Sequence, residues 1–306
     1  MKIFDTAFGS RRISLQIDFA GIHILYIPQE ISFKECLIYL KDKNGDEYNR
    51  EVVKVSSSTI YNMPQLSDGL YFLNLYNKLE KENVYREYLG RNNVPIILKN
   101  GILNFLISPV FIANKNVYVH LSSDFSFLYE KQLPSYGIQS DSLEIIKTAR
   151  EITKDKVSSY QKVLAIHDWV AENIYYDMDV FYSRDYQKLD TTALGALTSR
   201  KSICQGYSNL SIALLRASRI PAIGMPCFAL GISTDGCWEG QNLYAIANHQ
   251  ITLAHVENRW IIMDITWDSD NEYINGKFQK KTGIGVSHKY FDNTLAFISN
   301  THHFIL

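Results

Sequence analysis

Residues 202–217, SICQGYSNLSIALLRA, open as a polar turn and continue as an apolar helix. Ile203, Tyr207, Leu210, Leu214 and Ala217 share one face at helical spacing, and Arg219-Ile220-Pro221 ends the run. Cys204 sits where the loop becomes the helix. Unpaired N–H groups and the positive end of the helix dipole favour an anion there, and the thiolate is the nucleophilic form of cysteine. The same position also suits a buried cysteine acting as a small hydrophobe. Cys204 alone therefore leaves both uses open.

Working outward, the chain supplies partners. After Cys204 the pattern turns to strands over 222–230, 243–256 and 259–267, with Glu257-Asn258 as a tight turn between the last two. His249 and Asp264 lie 15 positions apart on these strands. In a hairpin with an even loop, an odd separation puts both side chains on one face. They should stand opposite or about one rung apart, close enough to hydrogen-bond. A carboxylate beside an imidazole fixes its tautomer and stabilises the imidazolium, although polar cross-strand pairs also occur for structure alone. His255 shares the face and is the main rival for the base, but its spacing to Asp264 leaves it several rungs away, beside the turn. A helix-start cysteine with a His/Asp pair on a hairpin provides nucleophile, base and orienting group.

Upstream, Asp141-Ser142-Leu143-Glu144 reads as a capping box starting a helix to about Ile152. A second helix starts at Ser158, with Val163, Ile166, His167, Val170 and Ile174 on its packed face. His167 on that apolar face is expected to be a satisfied core histidine.

These motifs together resemble the transglutaminase-like superfamily, a branch of the papain-like cysteine hydrolase and acyltransferase folds. The resemblance runs from about residue 155 to the end. It is carried by KVLAIHDWVAENI (162–174) with Tyr176-Asp177, by SICQGY (202–207), and by Leu214-Leu215-Arg216-Ala217 and Ile220-Pro221-Ala222. It continues through His249, Asn258-Arg259-Trp260, Asp264-Ile265-Thr266-Trp267-Asp268 and Lys289-Tyr290-Phe291-Asp292. The resemblance implies an α+β fold whose nucleophile, at a helix N-terminus, packs on an antiparallel sheet. It assigns the catalytic roles to Cys204, His249 and Asp264, and acyl transfer through a thioester as the chemistry. The oxyanion would be met by the Cys204 backbone N–H and one further donor, with Tyr176 and Gln205 the candidate oxyanion or substrate contacts. One departure is Ile251, where the family usually has an aromatic residue two positions after the histidine; this bears on the acyl pocket.

The first part of the chain reads as β. Short apolar runs recur from Ile13–Phe19 to Ile102–Ile107 and Val117–Leu121, with a hairpin signal at Asn44-Gly45. This suits an all-β, sandwich-like domain over 1–135, followed by a transglutaminase-like domain over 136–306. Pro134 and Gly137 mark a linker between them.

Composition sets the outer limits. The 306 residues carry 31 Lys+Arg against 32 Asp+Glu, a net charge of −1, which argues against a dedicated nucleic-acid binder. The four cysteines, Cys36, Cys204, Cys227 and Cys237, form no CxxC pair. Neither a disulfide scaffold nor a usual zinc knuckle is expected, and no metal or cofactor is assigned. Asp268 and Asp270 read as a solvated acidic loop. No apolar run is long enough for a membrane span, and no signal peptide opens the chain. The default compartment is the cytoplasm, with export left open if a leader has been removed. The function expected first is a peptidase or amidase acting on a protein or peptide. Protein-glutamine cross-linking and a non-catalytic binding or assembly module are the alternatives. The β domain is a candidate to hold a protein or glycan partner.

Overall fold

The structure, a computed structural model, describes residues 2–4, 13–18, 21–26, 33–42, 44–54, 59–61, 65–79, 85–105, 108–123, 130, 132–231, 238, 241, 246–293 and 295–305. It divides into two compact units, Met1–Lys115 with Asp292–His302, and Asn116–Phe291 with His303–Leu306.

The first unit holds two antiparallel sheets. One has the order β1 (Lys2–Phe4), β2 (Ile13–Asp18), β3 (Gly21–Tyr26), β6 (Thr59–Tyr61). The other runs β5 (Glu47–Lys54), β4 (Phe33–Asp42), β7 (Gly69–Leu79), β8 (Tyr85–Lys99), β9 (Ile102–Phe105). Ile38, Leu40, Leu73 and Ile96 are fully buried. The β4–β5 turn closes with Gly45 at φ 93°, a conformation that glycine adopts without steric cost. The Asp42 carboxylate accepts from the Asn44 and Asp46 amides in the same turn.

The strand expected at Val117–Leu121 is corrected to part of a helix, α1 (Pro109–Ser123). Val110, Phe111, Asn114, Tyr118 and Leu121 are its buried positions, a stripe with three- and four-residue steps that a strand cannot place on one face. The division between the units falls inside α1, ahead of residues 131–137.

The second unit is α+β. Helix α2 (Leu143–Thr153) starts from Ser142, not from a box built on Asp141: the Ser142 hydroxyl donates to Glu144 and caps no amide. Helix α3 (Ser159–Asn173) does have a full capping box, Ser158 with Gln161. After α3 come β10 (Tyr175–Asp177), α4 (Met178–Ser183), α5 (Ala193–Ser199), β11 (Lys201–Ser202) and α6 (Cys204–Ala217). Strands β12 (Ala222–Ala229), β13 (His249–Val256) and β14 (Arg259–Met263) then form an antiparallel run with β13 in the middle. Helix α6 packs on β13 and β12. Ile166, Val170, Leu210, Leu214, Leu253 and Ile261 are fully buried. Among the described residues no helix is long and apolar enough to cross a membrane.

Candidate active site

Cys204 is the first residue of α6, and Ile203 stands at its N-cap. Ile203 makes no side-chain cap bond, so its own N-cap does not compete for the first-turn amides at the positive end of the helix. Gly206 permits the tight entry into α6. A Cβ there would overlap the Ser202 hydroxyl and lie 2.5 Å from the Ser202 Cβ. Gly206→Ala should therefore lower the unfolding free energy by about 1–3 kcal/mol through overpacking. Thermal or urea unfolding checks this, and a wild-type melting temperature would refute it.

Strand β10 pairs in parallel with β11, setting Tyr176 beside Ser202, two residues before Cys204. Burial and then the nearby Cys204 push the Tyr176 phenol up, so it keeps its proton and remains a donor. Gln205 is exposed, and its side-chain oxygen accepts from the Thr191 hydroxyl at 3.2 Å.

The hairpin turns at Glu257 and Asn258, with φ of 52° and 60°, as a primed two-residue turn requires. Thr252 faces Met263 and Val256 faces Arg259. Asp264 is not on the strand, as its apolar neighbours suggest. Strand β14 stops at Met263, and Asp264 is the N-cap of a single turn, α7 (Ile265–Asp268), where its Oδ1 accepts the Trp267 N–H at 3.2 Å. One residue past the strand end still leaves it beside His249, the first residue of β13. His249 Nε2 and Asp264 Oδ2 are 2.8 Å apart, both nearly buried. The Trp267 ring packs 5.5 Å from the imidazole.

Burial opposes charge on His249, but the Asp264 carboxylate, by charge and by hydrogen bond, outweighs it. With a further hydrogen bond to Cys204, these raise the imidazole to about 10. Since Nε2 is taken by Asp264, Nδ1 is the nitrogen left to face the thiol. His255 pairs with Trp260 near the turn and packs its ring 5.0 Å away, well removed from Asp264 in the register.

Cys227 stands opposite His249 on β12 and is fully buried. Burial pushes its thiol well up, which makes it inert. Cys237 lies outside the described residues, as does any pairing with it. The solvated acidic loop is corrected: Asp268 and Asp270 are both buried. The Asp270 carboxylate accepts from Thr282, Gly283 and Gly285 and so closes that loop.

His167 is buried, as expected, but its partners were not foreseen. Nδ1 meets Asp168 Oδ1 at 2.9 Å and Nε2 meets Asp268 Oδ2 at 3.1 Å. His288 Nε2 meets the same Asp168 oxygen at 2.7 Å. His167, Asp168 and His288 thus bring metal-ligand-type atoms within 4.8 Å of one another, with Asp168 Oδ1 engaged by both histidines.

Comparison with known proteins matches this region. Residues 146–265 fit the family model described as the transglutaminase-like superfamily. The kyphoscoliosis peptidase of Mus musculus is 26% identical over 119 residues, which are 39% of this chain and 17% of that protein. The Homo sapiens kyphoscoliosis peptidase is 25% identical over the same share of each. The match thus spans about a sixth of the curated relatives' length. A solved structure of a Cytophaga hutchinsonii protein assigned as a cysteine protease is 27% identical, with a TM-score of 0.37, covering 54% of this chain and 48% of its own. A Parabacteroides distasonis protein assigned as a protease is 15% identical, with a TM-score of 0.30, over 76% of this chain and 37% of its own. Residues 146–265 are a transglutaminase-like domain.

Proposed function

We propose that the second unit is a cysteine hydrolase, a peptidase or amidase working through Cys204, His249 and Asp264. One observation carries it: the imidazole that makes the 2.8 Å bond to Asp264 also has Cys204, at a helix N-terminus, near enough to favour its charged form. The Cys204 thiolate attacks a peptide carbonyl carbon. The oxyanion is met by the Cys204 backbone N–H and the Tyr176 phenol. His249 passes its proton to the leaving amine, the C–N bond breaks, and a thioester remains on Cys204. Water, deprotonated by His249, then releases the acid and restores the thiol. Asp264 orients the imidazole and stabilises its charged form throughout. The domain match and the peptidase relatives favour a protein or peptide substrate. The first unit we read as a sandwich-like module for holding a protein or glycan partner, because it is built of two antiparallel sheets.

The test is cleavage of a mixed peptide library, read by mass spectrometry. Wild type should yield products with water added at the new C-terminus. Cys204→Ala should yield none, and retained cleavage in that variant would overturn the assignment. Products carrying an added amine instead would make the same site a transferase.

A further inference from the structure

The one-turn helix α7 carries the residue that orients His249, and a single turn cannot hold itself. One helical turn fixes several dihedrals for one hydrogen bond and is unfavourable alone. Here that bond runs from the Asp268 N–H to the Asp264 carbonyl at 3.2 Å. Position must therefore come from outside the turn.

The outside anchors converge on Asp268, at the end of the turn. Both of its carboxylate oxygens accept the Tyr290 N–H at 3.1 Å, and one also meets His167 Nε2. Tyr290 in turn accepts the Asp264 N–H on its own carbonyl at 3.2 Å. The Tyr290 backbone thus ties together the two ends of α7, and Asp268 fixes Tyr290. Behind Asp268, His167 is gripped on its other nitrogen by Asp168, and Asp168 is braced by His288. The Phe291 ring closes over His167 at 4.9 Å. The Trp267 ring lies between Tyr290 at 5.2 Å and His249 at 5.5 Å.

We propose that Asp168, His167 and Asp268, braced by His288, are positioning residues that hold α7 so that Asp264 meets His249. None of the four is required to touch substrate. The proposal rests on the assignment of Cys204, His249 and Asp264 as the reacting set, but it can be tested apart from it. A displacement of roughly half an ångström is enough to spoil such a contact.

The readout is the titration of the His249 ring, followed by NMR in protein with labelled histidines, together with Cys204 alkylation at pH 6. In wild type His249 should keep its proton well above neutrality. In His167→Gln the His249 midpoint should fall by about one unit or more, and Cys204 labelling should slow about tenfold. The sign is diagnostic. His167 keeps its proton up to about pH 9, so through its field alone its removal would leave the His249 midpoint unchanged or raise it, whereas loss of position lowers it. If His167→Gln does not fold, His288→Ala carries the same test, because it keeps His167 and removes the contact at the half-exposed Asp168 end together with the ring contacts to His167 and Phe291; the fall should be smaller but in the same direction. A folded variant whose His249 midpoint is unchanged or raised overturns the proposal. If wild-type Cys204 labels like an ordinary thiol while His249 still responds to His167→Gln, the catalytic assignment fails and the positioning role stands. An acid-reactive Cys204 beside an unresponsive His249 sinks the positioning role alone.

Discussion

Iodoacetamide should label Cys204 in the folded protein at pH 6 about ten times faster than a free thiol, and His249→Ala should remove the advantage. An ordinary thiol with a pKa of about 8.5 is only about 0.3% thiolate at that pH. Full ionisation is thus worth up to about 300-fold. The weaker nucleophilicity of an acidic thiol takes back one to two orders of magnitude, leaving roughly tenfold. The charge that would sustain a thiolate at Cys204 is the imidazolium of His249, lifted to about 10 chiefly by Asp264 against the effect of burial. Cys227 is the internal control. It lies opposite His249 in the register but is fully buried, with its thiol pushed well up, so it should stay unlabelled until the protein unfolds. Peptide mass spectrometry separates the two. Equal slow labelling of Cys204 with and without His249 would mean that the pair is structural.

The parts of this site written in local sequence are legible from it. The start of α6 follows from helical spacing and a preceding loop, and the His249–Asp264 approach follows from parity across a two-residue turn. Both depend on residues close along the chain. Errors arise where a side chain overrides the pattern. Ile261 to Trp267 is apolar enough to extend a strand, but the Asp264 carboxylate captures the Trp267 amide and turns the chain. Parity places the aspartate correctly even so, because it sits only one residue beyond the strand. At Val117–Leu121 alternating apolar residues imitate a strand, and the wider spacing of Val110, Asn114 and Tyr118 reveals the helix. The His167–Asp268 contact joins residues 101 apart. Neither has a local signature beyond being polar, so an apolar helix face bearing one histidine reads as core packing. That packing is real, but it conceals a charged network reaching toward the site.

Asp264→Ala should be the most damaging single change, by about 3–5 kcal/mol, the usual cost of stripping one partner from a buried ion pair. Loss of the α7 cap adds about 1 kcal/mol. The two losses can be separated by pH. His249 has its folded value raised, from 6.5 to about 10. Its contribution to stability is therefore complete below about pH 6.5 and is lost as pH rises toward about 10. In Asp264→Ala, burial acts on His249 without the carboxylate to oppose it, so the ring goes neutral and that contribution disappears at every pH. The stability gap between wild type and Asp264→Ala should thus be widest near pH 6 and shrink by several kcal/mol toward pH 10, leaving only the cap. Asp264→Asn keeps an acceptor for the Trp267 amide but not the charge. It should lie close to wild type at pH 10 and fall below it at pH 6. Urea unfolding at pH 6, 8 and 10, with all proteins also carrying Cys204→Ala so that the thiol does not titrate, measures each term. A gap that does not change with pH would mean that His249 is neutral in the folded protein. Asp264 would then be holding the turn and not an imidazolium, and no primed thiolate would follow from the geometry.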